Sequence, residues 1–197
     1  MGKNPFLRQL EDIGALKRGH FLLASGRHSA QYVEKFDLLR QPRATESACR
    51  ELITLLGDLS DVELVVGPTT GGILLAFEIA RQLGLPAAYA ERASDGASER
   101  VFKRGTVIER GTNVLVVDDI LTTGGSVRET IAALDAVGAV VRAIGLLVDR
   151  SGGSVSFGAP LVSLADLDIE TFAPEDCPIC RDGVPVTKPG STATPLA

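Results

Sequence analysis

Tryptophan is absent from the 197 residues, histidine occurs twice and cysteine three times. An odd number of cysteines does not make a disulfide framework and fits a reducing compartment. Long apolar runs are missing too: none approaches the roughly 20 residues that a bilayer-spanning helix needs. The stretch MGKNPFLRQLEDIGAL has no apolar core of the signal-peptide kind, and Phe6 stands where a myristoylation pattern wants Ser or Thr. Basic charge is also short: 20 Lys and Arg against 25 Asp and Glu leave a formal charge of -5, which speaks against general binding of nucleic acid. What remains is the expectation of a soluble cytoplasmic protein, long enough for one domain with a sizeable core.

What is present is alternation. NPFLRQLEDIGAL spaces Phe6, Leu7, Leu10 and Ile13 as a short amphipathic helix. GHFLLASGRHSAQYVEKFDLL reads as two strands joined at Ser25-Gly26. Pro42 suits the first turn of a helix running to about Leu56. From there strand, turn and helix repeat: VELVVG, PTTGG and ILLAFEIARQL, then the strand AAYAER. NVLVVDD, ILTTGG and SVRETIAALDAV follow, with Val127, Ile131 and Leu134 as the buried stripe, and then the strand VVRAIGLLVDR. Short apolar strands alternating with helices imply an α/β fold, an open, mostly parallel twisted sheet with helices on both faces. Residues 93–105, ASDGASERVFKRG, read as a mobile loop. The Pro/Gly-rich tail after Asp168 reads as irregular, its last few residues as disordered.

Ligands of open α/β sheets sit beyond the C-terminal strand ends, where both Gly-rich turns fall. In TTGGS the N–H groups that open a helix favour an anion, Thr122, Thr123 and Ser126 add hydroxyls, and Gly124 and Gly125 admit a phosphate to the backbone. Neither the P-loop nor the dinucleotide fingerprint is present. A structural alternative is a capping box of Ser126 with Glu129, and likewise Thr70 as an ordinary helix cap. Asp118 and Asp119 beside the turn would repel a bare phosphate. A ribose 5-phosphate resolves this, because the carboxylates accept hydrogen bonds from its vicinal hydroxyls and support positive charge at the anomeric carbon.

VLVVDDILTTGGS resembles the phosphoribosyl-diphosphate (PRPP) motif of the type I phosphoribosyltransferases. The resemblance implies that fold, with a small N-terminal hood formed or flanked by residues 1–40 and 169–197, around a PRPP core at 61–150, in a single domain. It implies PRPP contacts from Asp118, Asp119, Ile120, Leu121, Thr122, Thr123, Gly124, Gly125 and Ser126, and from Thr70, Gly71, Arg92 and Arg100. Catalytic roles fall to Asp118 and Asp119 and to the loop residues Lys103 and Arg104. Mg²⁺ is expected to arrive on PRPP, with no firm protein ligand.

GHFLLASGRHSAQY, VVGPTTGGILLAFEIARQLG, LLVDRSGG and PEDCPICRDGVPVTKPGS resemble the orotate-using members of that family. Arg150 then supplies a planar partner for a ring carboxylate, beside Thr122, with Ser25, Gly26 and His28 as further orotate contacts. By itself, an isolated histidine is more often a satisfied hydrogen-bonding residue. Some relatives carry lysines where Gly71 and Ala24 stand here. The implied reaction joins orotate to the phosphoribosyl group, in a homodimer whose 93–105 loop enters the neighbouring site, with no nucleic acid or membrane partner. The alternatives are transfer to a purine or another pyrimidine, and a PRPP-sensing regulator that binds nucleic acid. Cys177 and Cys180 make one C-x-x-C; with the third cysteine distant, free thiols are expected over a zinc site shared across a dimer.

Overall fold

The computed structural model describes residues 4–189. The chain packs as two compact units, one of residues 1–38 with 168–197, the other of residues 39–167.

The first unit opens with α1 (Pro5–Asp12). Asn4 caps it, its Oδ1 accepting from the N–H of Phe6 at 2.9 Å and of Leu7 at 3.3 Å. Such a cap contributes about 1 kcal/mol, and Pro5 loses nothing at a position whose N–H has no helical acceptor. Phe6 and Leu10 form the buried stripe. The two expected strands are β1 (Leu16–Leu22) and β2 (His28–Val33), antiparallel with Leu16 opposite Val33. Lys35–Leu39, read from sequence as strand, is instead a short helix, α2.

In the second unit α3 (Pro42–Leu56) keeps its expected bounds. The central strands are β3 (Leu64–Pro68), β4 (Ala87–Arg92), β6 (Asn113–Leu121), β7 (Val140–Asp149) and β8 (Leu161–Asp166), with a two-residue β5 (Arg100–Val101) between β4 and β6. Their order is β5-β4-β3-β6-β7-β8, all neighbours parallel except the β4–β5 pair. Helices α4 (Gly71–Leu83) and α5 (Gly125–Val137) follow β3 and β6. Each ends on a left-handed glycine, Gly84 and Gly138, where the missing Cβ removes the cost of that conformation.

Period-2 alternation buries both faces of the sheet. Val66, Val114, Val116, Ile144 and Leu146 share one cluster with Val127 and Leu134 of α5. Gly145 points the other way, where an added Cβ would stand 3.2 Å from Leu52 and from Leu56 of α3. Ile131 packs on the α5 cluster only partly buried, and Thr130 and Ala133 complete the buried side of that helix.

Two segments depart from the sequence reading. Residues 93–105 are not wholly loop, since β5 pairs Val101 with Glu91 and Arg100 with Arg92. The tail is more ordered than its composition suggests. β9 (Thr171–Phe172) adds to β2, a 3-10 turn covers Pro174–Asp176, and α6 spans Pro178–Arg181. Thr187 is then held against His20, its N–H donating to the His20 carbonyl at 2.8 Å. The disorder expected of the last residues falls on 190–197, outside the described residues.

Candidate active site

Two strand-to-helix turns in the second unit form the candidate site. At the first, a Cβ on Gly67 would collide with the Gly72 carbonyl, and one on Gly72 would lie 2.6 Å from Pro68 Cδ. Only glycines let strand and helix meet this closely. The Thr69–Thr70 peptide is cis. Thr70 is the N-cap residue of α4 by position, but its side chain makes no capping hydrogen bond.

The second turn follows β6. Asp118 and Asp119 are buried, and each has Oδ1 as acceptor for the next backbone N–H: Asp119 N–H to Asp118 at 2.8 Å, and Ile120 N–H to Asp119 at 2.7 Å. These bonds hold the carboxylate pair at the strand end. The Oδ2 of Asp119 lies against Gly71 so closely that a Cβ there would land on it. Asp119 thus faces the positive N-terminal end of the α4 dipole, and the two turns interlock. A side chain at Gly71 would therefore displace the Asp119 carboxylate.

Gly124 (φ +80°) swings the chain into α5 and serves as its N-cap residue without a side-chain cap. A Cβ on it would meet Val155 at 2.9 Å, so both conformation and space call for glycine. The capping box of Ser126 and Glu129 does not form. The Glu129 carboxylate instead accepts from Arg100 Nε at 3.0 Å, which leaves the N–H groups of the first turn of α5 aimed beyond the helix. A cavity of about 200 Å³ opens there, lined by Arg92, Asp118, Glu129 and residues 120–127. A larger cavity of about 500 Å³ runs alongside α5, between it and residues 98–108, away from the acid pair.

The expected residues therefore divide. Asp118, Ile120, Leu121, Thr122, Thr123, Gly124, Gly125, Ser126 and Arg92 gather on one cavity; Asp119 and Gly71 meet behind it. Arg100, expected at PRPP, is only 4% exposed, its guanidinium bonded to Glu129, to Thr69 Oγ1 at 3.0 Å and to the Ala90 carbonyl at 3.0 Å. It braces the first turn against α5, a positioning role the sequence reading missed because neither Thr69 nor Glu129 is near Arg100 in the chain. Lys103 donates to the Arg92 carbonyl at 2.7 Å, and Arg104 pairs with Glu91 at 3.3 Å, so both loop cations turn back onto β4. Arg150 follows β7, and its N–H donates to the Leu121 carbonyl at 2.8 Å, the residue before Thr122. Ser25 and Gly26 occupy the exposed β1–β2 turn of the first unit, with Gly26 at φ +80°. His28 is buried there, its Nδ1 directed at His20 and Cys180.

Comparison with known proteins agrees with this geometry. The model of the phosphoribosyl transferase domain matches residues 40–158. The orotate phosphoribosyltransferase of Caldicellulosiruptor bescii is 45% identical over 191 residues, 97% of this chain and 98% of that one. The Thermotoga maritima enzyme of the same name is 46% identical over 182 residues, 92% and 95% of the two chains. The crystal structure of orotate phosphoribosyltransferase from Aeropyrum pernix superposes with a TM-score of 0.69 at 33% identity, covering 81% of this chain and 92% of that one. By fold, acid-pair turn and relatives alike, the chain belongs to the orotate phosphoribosyltransferases of the phosphoribosyl transferase family.

Proposed function

We infer that the chain transfers the 5-phosphoribosyl group of PRPP to N1 of orotate, giving orotidine 5′-monophosphate and pyrophosphate in pyrimidine nucleotide synthesis. The bond from the anomeric carbon to pyrophosphate breaks, the bond to N1 forms, and N1 loses its proton. The observation that carries this reading is the backbone bond between Arg150 and Leu121, which holds a guanidinium-bearing residue next to the Thr122 turn.

In this reading the 5′-phosphate rests on the N–H groups and hydroxyls of residues 122–126, where the α5 dipole favours it. Asp118, and Asp119 behind it, receive the ribose hydroxyls and stabilise positive charge as the leaving group departs. Arg150 offers two parallel donors to the orotate carboxylate, a geometry no purine presents. The hard oxygen donors at the cavity, Asp118 with the Thr122 and Thr123 hydroxyls, suit Mg²⁺. Bound on the diphosphate, Mg²⁺ supplies charge neutralisation of the leaving group. Homodimerisation, with residues 93–105 serving the neighbouring site, belongs to the same reading. It requires Lys103 and Arg104 to exchange their present contacts on β4 for pyrophosphate. We place the protein in the cytoplasm; among the described residues no helix is long and apolar enough to cross a membrane.

The test is orotate depletion followed by ultraviolet absorbance with PRPP and Mg²⁺, beside adenine, hypoxanthine and uracil. Loss of orotate with matching pyrophosphate release supports the reading. Reaction of another base would remove Arg150 from its role and leave the PRPP site standing. Binding of PRPP with no base consumed would point to a sensor.

A further inference from the structure

We propose that the first unit carries a structural zinc site made by His20, His28, Cys177 and Cys180. His20 lies on β1 and His28 at the start of β2; Cys177 precedes α6 and Cys180 lies within it. Their ligand atoms all fall within 4.8 Å of one another. His20 Nε2 stands 3.5 Å from Cys177 Sγ, 3.7 Å from Cys180 Sγ and 2.9 Å from His28 Nδ1, and Cys180 Sγ is 3.3 Å from that Nδ1. Tetrahedral zinc with the usual bond lengths places S and N about 3.6 Å apart and two N atoms about 3.3 Å apart. The four side chains already stand at nearly those separations.

The surroundings prepare the ligands. His20 Nδ1 is 2.7 Å from the Val184 carbonyl. A carbonyl only accepts, so Nδ1 is the donor in this contact, and the ring's Nε2 points into the cluster. An outer hydrogen bond of this kind fixes the tautomer of metal-bound histidines. The His20 backbone carbonyl is held by Thr187 through both N–H, at 2.8 Å, and Oγ1, at 3.0 Å. Cys177 is fully buried and His20 nearly so. Two thiolates and two imidazoles in a closed shell suit a structural zinc rather than a catalytic one, which keeps a position open.

The unit also has a use for it. Its buried apolar side chains are few, mainly Phe6, Leu10, Phe21, Val33 and Leu38, and β9 contributes only two residues to the sheet. Units this small commonly need a metal or disulfide staple. Here zinc would fasten the hairpin to a segment 157 residues away in sequence.

The experiment is metal analysis of the untagged full chain by plasma mass spectrometry, with the melting temperature before and after chelation. About one zinc per chain is expected, absent in Cys177→Ser and Cys180→Ser but kept in Cys49→Ser. Chelation should lower the melting temperature by at least about 5 °C, and added zinc should restore it. If the cysteine variants do not fold, cobalt substitution of the unaltered chain decides: tetrahedral d–d bands with thiolate charge transfer support the site, and their absence overturns it. A chain free of metal that neither takes up zinc stoichiometrically nor melts higher with it would reduce the cluster to a hydrogen-bonded packing of neutral side chains. Full zinc content in Cys180→Ser would equally overturn the assignment.

Discussion

Replacing Gly71 and, separately, Gly125 with alanine should move stability in opposite directions while impairing PRPP use in both cases. At Gly71 the new methyl coincides with Asp119 Oδ2 and stands 3.2 Å from Leu39 Cδ1. Asp119 is 3% exposed and its other oxygen holds the Ile120 N–H at 2.7 Å, so the carboxylate cannot rotate away without losing that bond. Overpacking of such a site costs about 1–3 kcal/mol, and each kcal/mol lowers the melting temperature of a chain this size by about 2–4 °C. The displaced acid should also weaken its hold on ribose. Around Gly125 the nearest atom to an added Cβ is Thr123 Oγ1, at 3.9 Å, and the residue is helical without a positive φ. Alanine there should stabilise the chain by about 0.4–1 kcal/mol, through a more restricted unfolded state. Yet its methyl would stand where the 5′-phosphate meets the backbone, and kcat/KM for PRPP should fall at least about tenfold, roughly 1.4 kcal/mol of binding in the transition state. Urea midpoints give the stabilities, and initial rates against PRPP concentration give the kinetics. A Gly125→Ala enzyme with unaltered kcat/KM for PRPP would refute the phosphate placement. An unweakened Gly71→Ala protein would refute the interlock of the two turns.

Arg150→Ala should raise KM for orotate at least about tenfold, as expected for loss of a charge-assisted pair, with PRPP affinity nearly unchanged by titration calorimetry; equal loss of both would make Arg150 structural. Arg100→Met should cost about 2–3 kcal/mol in urea unfolding, because it strips Glu129, Thr69 and Ala90 of their common donor; wild-type stability with lost PRPP binding would instead make Arg100 a ligand. Burial, reinforced by the Glu78 charge and partly offset by Arg81, pushes the Cys49 thiol from 9.0 up to about 12. The folded chain then keeps a proton that the unfolded chain releases, so stability falls with rising pH above 9.0, by about 1.4 kcal/mol per unit until the buried thiol itself ionises. Cys49→Ala should show a correspondingly shallower alkaline decline in urea midpoint; identical slopes would mean that this thiol does not set it.

The parallel core was legible because the interiors of β3, β6 and β7, residues 64–66, 114–117 and 143–148, are buried throughout and read as short apolar runs. β8 was not, because only Leu164 and Ala165 of its six residues are buried, as befits an edge strand. β5 is too short for any period to show, and α2 offers barely more than one turn. At the site, the acid pair and the glycine turn could be read as chemistry, since neighbours in the chain are neighbours in space across a turn. Arg100 could not: a basic residue in a polar stretch gives no sign that Thr69 and Glu129, from distant segments, will join Ala90 in enclosing it. The histidines and cysteines failed the same way, their 157-residue separation hiding a contact that only the antiparallel β1–β2–β9 sheet creates.

That sheet takes its strands from both ends of the sequence, and this orders events during synthesis. Residues 39–167 emerge as an unbroken block and can fold while the hairpin made first still lacks β9, Thr187 and both of its cysteines. At ribosomal rates of about 5–20 residues per second, His20 waits on the order of ten seconds for Cys177. Throughout that interval the outer edge of β2 is open to pairing with another nascent chain, a hazard that ends only when β9 docks. Zinc scarcity would therefore be felt by chains already synthesised past Cys180, and a cell short of the metal would accumulate molecules with a folded α/β unit and an unfastened hairpin.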